Sequence, residues 1–171
     1  MKIIYKQFEA KRQTYRGLRL YGIDGFQIHL PRSKDIVEKG CYTGRATSSY
    51  SESHTPRMYA SHCYDLLSGV TRSIEQSCEN QEIKLALTMI PKLEKKSLCI
   101  YDRLYMSEKL IQAHIDAGSY FLFRCKSSST FKPIENFWKS KKKIRKVEIC
   151  GVKITLIKIK NPTLNSSWII S

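Results

Sequence analysis

Ser97-Leu98-Cys99-Ile100-Tyr101-Asp102 is a short apolar run that ends on a carboxylate. Such a run, unbroken by polar residues, is the pattern of a strand buried on both faces. The residues after it support that reading. Ser107 stands where a helix N-cap belongs, Glu108 to Ala117 has helical spacing, and Gly118 supplies the C′ residue. Tyr120 to Cys125 (YFLFRC) is a second buried-type strand. Strand, helix and strand in succession point to an α/β fold.

Upstream, Leu18, Leu20, Ile23, Phe26, Ile28 and Leu30 recur at short intervals until Pro31, which predicts a strand carrying Asp24 and Gly25. Arg32 to Thr55 reads as a loop. Arg57 to Leu67 reads as a strand, Ser68-Gly69 as a turn, and Val70 to Ile74 as the returning strand of a hairpin. Glu79 to Leu93 reads as a helix with Asn80 as N-cap, Glu82 in the first turn and Pro91 at its end. Downstream, Ser127 to Thr130 reads as a linker. Val147 to Cys150 and Val152 to Ile159 form a hairpin about Gly151, and Trp168-Ile169-Ile170 opens a further strand. The domain reading is therefore a basic remnant over 1–17, a core over 18–126 and a β-rich appendage over 127–171.

Of the 171 residues, 42% are hydrophobic and 11% aromatic, enough for a packed core. Lys and Arg number 30 against 15 Asp and Glu, a net charge of +15, which points to a polyanion such as nucleic acid. Six cysteines include no CxxC pair, which argues against the common structural zinc sites. Cys99, inside its apolar run, reads as a small buried hydrophobe. The first ten residues lack the apolar stretch of a signal peptide, and no run is long enough to span a membrane. The expectation is a reducing, cytoplasmic setting.

The chemistry centres on Asp24 and Asp102. Buried carboxylates without partners are costly, and two at the ends of neighbouring strands can converge on hard divalent cations such as Mg²⁺. The alternative for each alone is local: an Asx turn at Asp24 and a helix cap at Asp102.

Gly17 to Gly25 (GLRLYGIDG) with His29-Leu30-Pro31 resembles the first acidic motif of bacterial insertion-sequence transposases of the insertion sequence four type, in the DDE class. Ser97 to Ser107 (SLCIYDRLYMS) resembles the second, and Gly118 to Lys126 (GSYFLFRCK) the strand and Arg-x-Lys pattern that follow it. Pro56 to Leu66 and the helix from Glu82 also fit. The resemblance implies an RNase H-like mixed sheet with flanking helices and an incomplete β-rich insertion. It further implies a two-metal Mg²⁺ or Mn²⁺ site with Asp24 and Asp102 as ligands, and DNA transposition by phosphodiester cleavage and strand transfer. The family's third acid lies in a Tyr-x₂-Arg-x₃-Glu-x₆-Lys pattern that residues 1–171 do not contain. The expectation is a truncated fragment that binds DNA with little strand transfer.

Two departures from the family pattern are Phe26 after Asp-Gly and Leu104 after Asp-Arg, both positioned to crowd the site. Glu135 and Glu148 stand at the wrong distance to replace the missing acid. For DNA, the expected contacts are Arg103, Arg124 and Lys126 near the acids, and Lys141, Lys142, Lys143, Arg145 and Lys146 in the run Lys139 to Lys146, with six basic residues in eight. Trp138 beside that run reads as a stacking residue for a displaced base or as core of a small β-subdomain. The histidines show no ligand pattern. Partners would be transposon-end and target DNA, with an intact transposase copy as a further candidate. Two rivals remain: a non-catalytic DNA-binding remnant, and another RNase H-like nuclease with a different third carboxylate.

Overall fold

The computed structural model describes residues 13–31, 33–39, 41, 56–79, 81–125, 131–159 and, by their backbone, 167–170. Strand β1 (Arg19–His29) is followed by a short helix α1 (Lys34–Glu38), the hairpin β2 (Arg57–Asp65) and β3 (Val70–Ser77), and helix α2 (Glu82–Met89). Then come β4 (Ser97–Tyr101), α3 (Glu108–Ala117), β5 (Tyr120–Cys125), α4 (Lys132–Lys139), the hairpin β6 (Ile144–Ile149) and β7 (Val152–Ile157), and β8 (Ser167–Ile170). The strands form one sheet in the order β3-β2-β1-β4-β5-β8-β7-β6. β1, β4 and β5 run parallel at its centre, and the remaining pairs are antiparallel.

The period of two along the central strands separates the faces. Tyr21, Ile23, Cys99, Tyr101, Phe121 and Phe123 are buried in one core with Ala86 and Met89 of α2 and Leu110 and Ile111 of α3. Leu98, Ile100 and Leu122, on the opposite face, are only half-covered. The apolar run at residues 97–101 thus belongs to a strand buried on one face, not two. Tyr101 stacks on Phe123 with ring centroids 4.9 Å apart. Its hydroxyl meets His114 Nε2 at 2.7 Å, and His114 Nδ1 meets Ser119 Oγ at 2.7 Å.

α3 follows its sequence signals closely. Ser107 accepts the Leu110 N–H, and Gly118 takes the left-handed conformation (φ 62°) at which a side chain is strained. α2 begins later than expected, at Glu82 rather than Glu79, without a side-chain cap from Gln81. Asn80 lies outside the described residues, as do 42–55 of the expected loop and the expected linker at 127–130. α1 interrupts the first part of that loop. α4 occupies a segment whose sequence shows chiefly its density of lysine. Pro133 at its start and the burial of Ile134 and Phe137 on one face account for it. β6 starts at Ile144, before the expected Val147, and turns into β7 through Cys150 and Gly151. Both take positive φ (53° and 75°), as a two-residue primed hairpin turn requires. β8 pairs with β5 and β7, so the hairpin of the expected appendage continues the central sheet.

Cys63, Cys99 and Cys125 are free and buried. Cys41 and Cys78 are joined in a disulfide across 37 residues of sequence, a bond that the expected reducing setting does not anticipate.

Candidate active site

Ile23 and Tyr101 are register partners in the parallel pair β1–β4, and the next residue on each chain is an aspartate. Because Ile23 and Tyr101 point into the helix-covered core, the alternation turns Asp24 and Asp102 toward the opposite face. They sit at the same end of adjacent strands and line one cleft of about 240 Å³ with Gly22, Ile100 and Arg124. Both carboxylates are exposed, Asp102 to 44% of its side chain. Desolvation therefore does not force a partner on them, contrary to the expectation of buried acids. Adjacency is what distinguishes them.

Their local hydrogen bonds are few. Asp24 Oδ1 accepts the Gly25 N–H at 2.9 Å, a remnant of the Asx alternative. Asp102 does not cap a helix, since Ser107 does. Its Oδ1 lies 3.9 Å from Arg124 Nη1. Phe26 and Leu104 do not crowd the cleft as their bulk suggests. Phe26 stands edge-on to His62 at 5.8 Å, Leu104 is 60% exposed, and neither lines the cleft.

Four neighbours, Glu82, Tyr105, Ser61 and His62, have no counterpart among the residues the sequence singles out as ligands. Gly25 is tight because the Glu82 carboxyl group lies over it: a Cβ there would stand 2.8 Å from Glu82 Cδ and 3.1 Å from Oε1. In the sequence, Glu82 is legible only as a first-turn acid of its helix. Tyr105 is 2% exposed, a core residue by burial. Its hydroxyl has Ser61 as a neighbour but no well-formed hydrogen bond satisfies it. Burial raises its pKa far above the usual tyrosine value, and the charges of Glu82, Asp24 and Asp102 push the same way. It stays protonated within electrostatic reach of all three acids. Ser61 donates to the Asp24 carbonyl at 3.3 Å. His62 pairs with Asp24 across β1–β2, which places both side chains on the same face.

Residues 16–163 match the family model for the transposase DDE domain. The chain belongs to that family. No curated protein matches it. For a transposase DDE domain, the mixed sheet with helices on its face is the RNase H-like architecture anticipated from the two acidic motifs.

The family's use of divalent cations can be tested against the residues present. Asp24 and Asp102 offer hard oxygen donors side by side, and Tyr105 supplies an orphaned buried hydroxyl beside them. Among the described residues no three His, Cys, Asp or Glu side chains converge closely enough to hold an ion by themselves. The pair suits a cation that keeps several of its waters, as Mg²⁺ does. Glu135 is engaged by Lys132 and Lys139 at 3.1 and 2.6 Å, which hold its carboxyl below the usual range, and Glu148 lies on β6. Neither lines the cleft.

Of the expected DNA contacts in this transposase domain, Arg103 is exposed in the turn after Asp102 and Arg124 lines the cleft. Lys126 lies outside the described residues. Lys141, Lys142, Lys143, Arg145 and Lys146 are all exposed, but on and before β6, the last strand of the sheet. Four strand spacings separate β6 from β4, roughly 19 Å. Trp138 is half-buried on helix α4, not in a β-subdomain, with Lys158 Nζ 5.6 Å from its ring centroid. Lys158 also donates to the Trp138 carbonyl at 3.0 Å. Among the described residues no helix is long and apolar enough to cross a membrane.

Proposed function

We propose that this transposase domain binds DNA and cleaves phosphodiesters at transposon ends, with Asp24 and Asp102 as the ligands of a Mg²⁺ or Mn²⁺ site. The single observation that carries the reading is the adjacency of the two aspartates at the ends of parallel strands. When bound, such cations stabilise the attacking and leaving oxygens of the phosphodiester. Arg124, beside Asp102, offers its guanidinium fork to a phosphate oxygen in the cleft. Arg103 extends the positive rim. The lysines before and on β6 follow the backbone further along, at about half a turn of duplex from the cleft, given ~34 Å per turn.

The substrate is duplex DNA at the ends of an element of the insertion sequence four type, joined to target DNA in the cytoplasm on the nucleoid, alone or with an intact transposase copy. Residues 1–171 supply two of the family's three acids, so strand transfer by this stretch alone is weak. A second reading, a module that occupies DNA ends without cutting them, is favoured by the lack of three converging acids among the described residues.

Purified protein incubated with a transposon-end duplex tests both. The expected result is a salt-sensitive mobility shift with slow Mn²⁺-dependent nicking that Asp24→Asn and Asp102→Asn abolish. Nicking untouched by either substitution sinks the catalytic reading. A shift with no nicking selects the second reading. No retention of DNA at low salt sinks both.

A further inference from the structure

Gly25 follows Asp24 directly, and the space its missing side chain leaves is filled by the carboxyl group of Glu82 from the first turn of α2. The fit is close, with a Cβ at Gly25 only 2.8 Å from Glu82 Cδ. A first-turn glutamate gains from the helix dipole wherever it points, so this position calls for another reason. Glu82 comes from the helix-covered face, and Asp24 turns to the other. The pairing of β1 with β4 ends at Ile23 and Tyr101, however, so past that point β4 does not wall this third carboxylate off from the two aspartates.

A second observation is independent of the acids. The Tyr105 hydroxyl is almost wholly buried, lies within electrostatic reach of Glu82, Asp24 and Asp102, and makes no well-formed hydrogen bond. A buried hydroxyl left in that state is costly, and an ordered water or hydrated ion among the three acids would satisfy it. The turn that positions it is built from Asp102 itself, whose carbonyl accepts the Tyr105 N–H at 3.2 Å.

We infer that Glu82 completes the acidic site, acting through a water of the cation held by Asp24 and Asp102, with the Tyr105 hydroxyl donating into the same water cluster. Contact through water, not direct ligation, agrees with the lack of three directly converging ligands among the described residues. It also suits Mg²⁺, which gives up its waters reluctantly. Glu82 is thus a positioning residue that orders the hydrated cation. Gly25 is the residue that allows it to come close. This inference rests on the proposed role of Asp24 and Asp102.

Mn²⁺ affinity of the purified full chain, followed by the loss of free-ion paramagnetic resonance signal, separates the possibilities. Glu82→Gln should weaken Mn²⁺ binding about tenfold or more, the usual range for groups that act behind the ligands, with the thermal midpoint close to that of the parent. Gly25→Ala, which leaves all three acids in place but displaces Glu82, should do the same. Asp24→Asn should remove binding. Loss with Asp24→Asn but unchanged affinity in both Glu82→Gln and Gly25→Ala overturns the role of Glu82 and leaves the aspartate site standing. Binding that survives Asp24→Asn, or no binding by the parent, overturns the aspartate site and this inference with it.

Discussion

The hydroxyl of Tyr101, the residue before Asp102, stands 2.7 Å from Nε2 of His114 in the middle of the core. Burial lowers the His114 pKa to about 4, so the folded protein keeps the ring neutral at a pH where the unfolded chain protonates it. Stability is therefore full above about pH 6.5 and is lost as the pH falls toward 4, by about 3 kcal/mol at most. Urea denaturation from pH 7.5 to 4.5 should show this decline, and His114→Gln should flatten it. A decline of equal size in the variant would remove His114 as its source.

Arg124 and Asp102 form a part-exposed pair at 3.9 Å, a geometry that contributes little to stability. Arg124→Lys keeps the charge and loses the planar fork. The expected outcome is a stability change below about 1 kcal/mol, together with roughly tenfold slower Mn²⁺-dependent nicking. Equal nicking rates would show that Arg124 does not meet the phosphate.

Replacing Lys141, Lys142 and Lys143 together by alanine should leave Mn²⁺ affinity unchanged, because these residues lie far along the sheet from the cleft. DNA affinity should fall, and the slope of log K against log salt should flatten by about 0.9 for each phosphate no longer neutralised. An unchanged slope would move the DNA track elsewhere.

Thiol chemistry should follow the burial of the cysteines. Burial raises the pKa of the Cys99 thiol well above its usual value and that of Cys125 to about 12, while Cys150 is exposed. Ellman's reagent should titrate one fast thiol in the native protein, four in urea, and all six after reduction. Six in urea without reductant would mean that Cys41 and Cys78 are not bridged.

Local signals make the centre of the fold legible. The apolar run at Ser97–Tyr101, the Ser107 cap and the Gly118 terminus fix β4, α3 and the approach to β5, because each is decided by residues within one turn or strand. What stays hidden depends on partners distant in sequence. The half-covered face of β4, the disulfide between Cys41 and Cys78, and the joining of β8 to β5 leave no periodic trace. At the cleft, Asp24 and Asp102 stand out by their place after apolar strands. Glu82 does not, because its relation to Gly25 exists only once α2 packs on the sheet. α4 is legible in principle, since Ile134, Phe137 and Trp138 have helical spacing, but the density of lysines hides it.

β8 lies between β5 and β7 in the sheet although it comes last in the chain. During synthesis the ribosome therefore releases five strands that can pair among themselves, then a hairpin with no seat. The half of the sheet that carries the lysine run stays unmoored until Ser167–Ile170 emerges and closes the seam. A nascent chain of this domain should acquire its cleft first and its outer edge last.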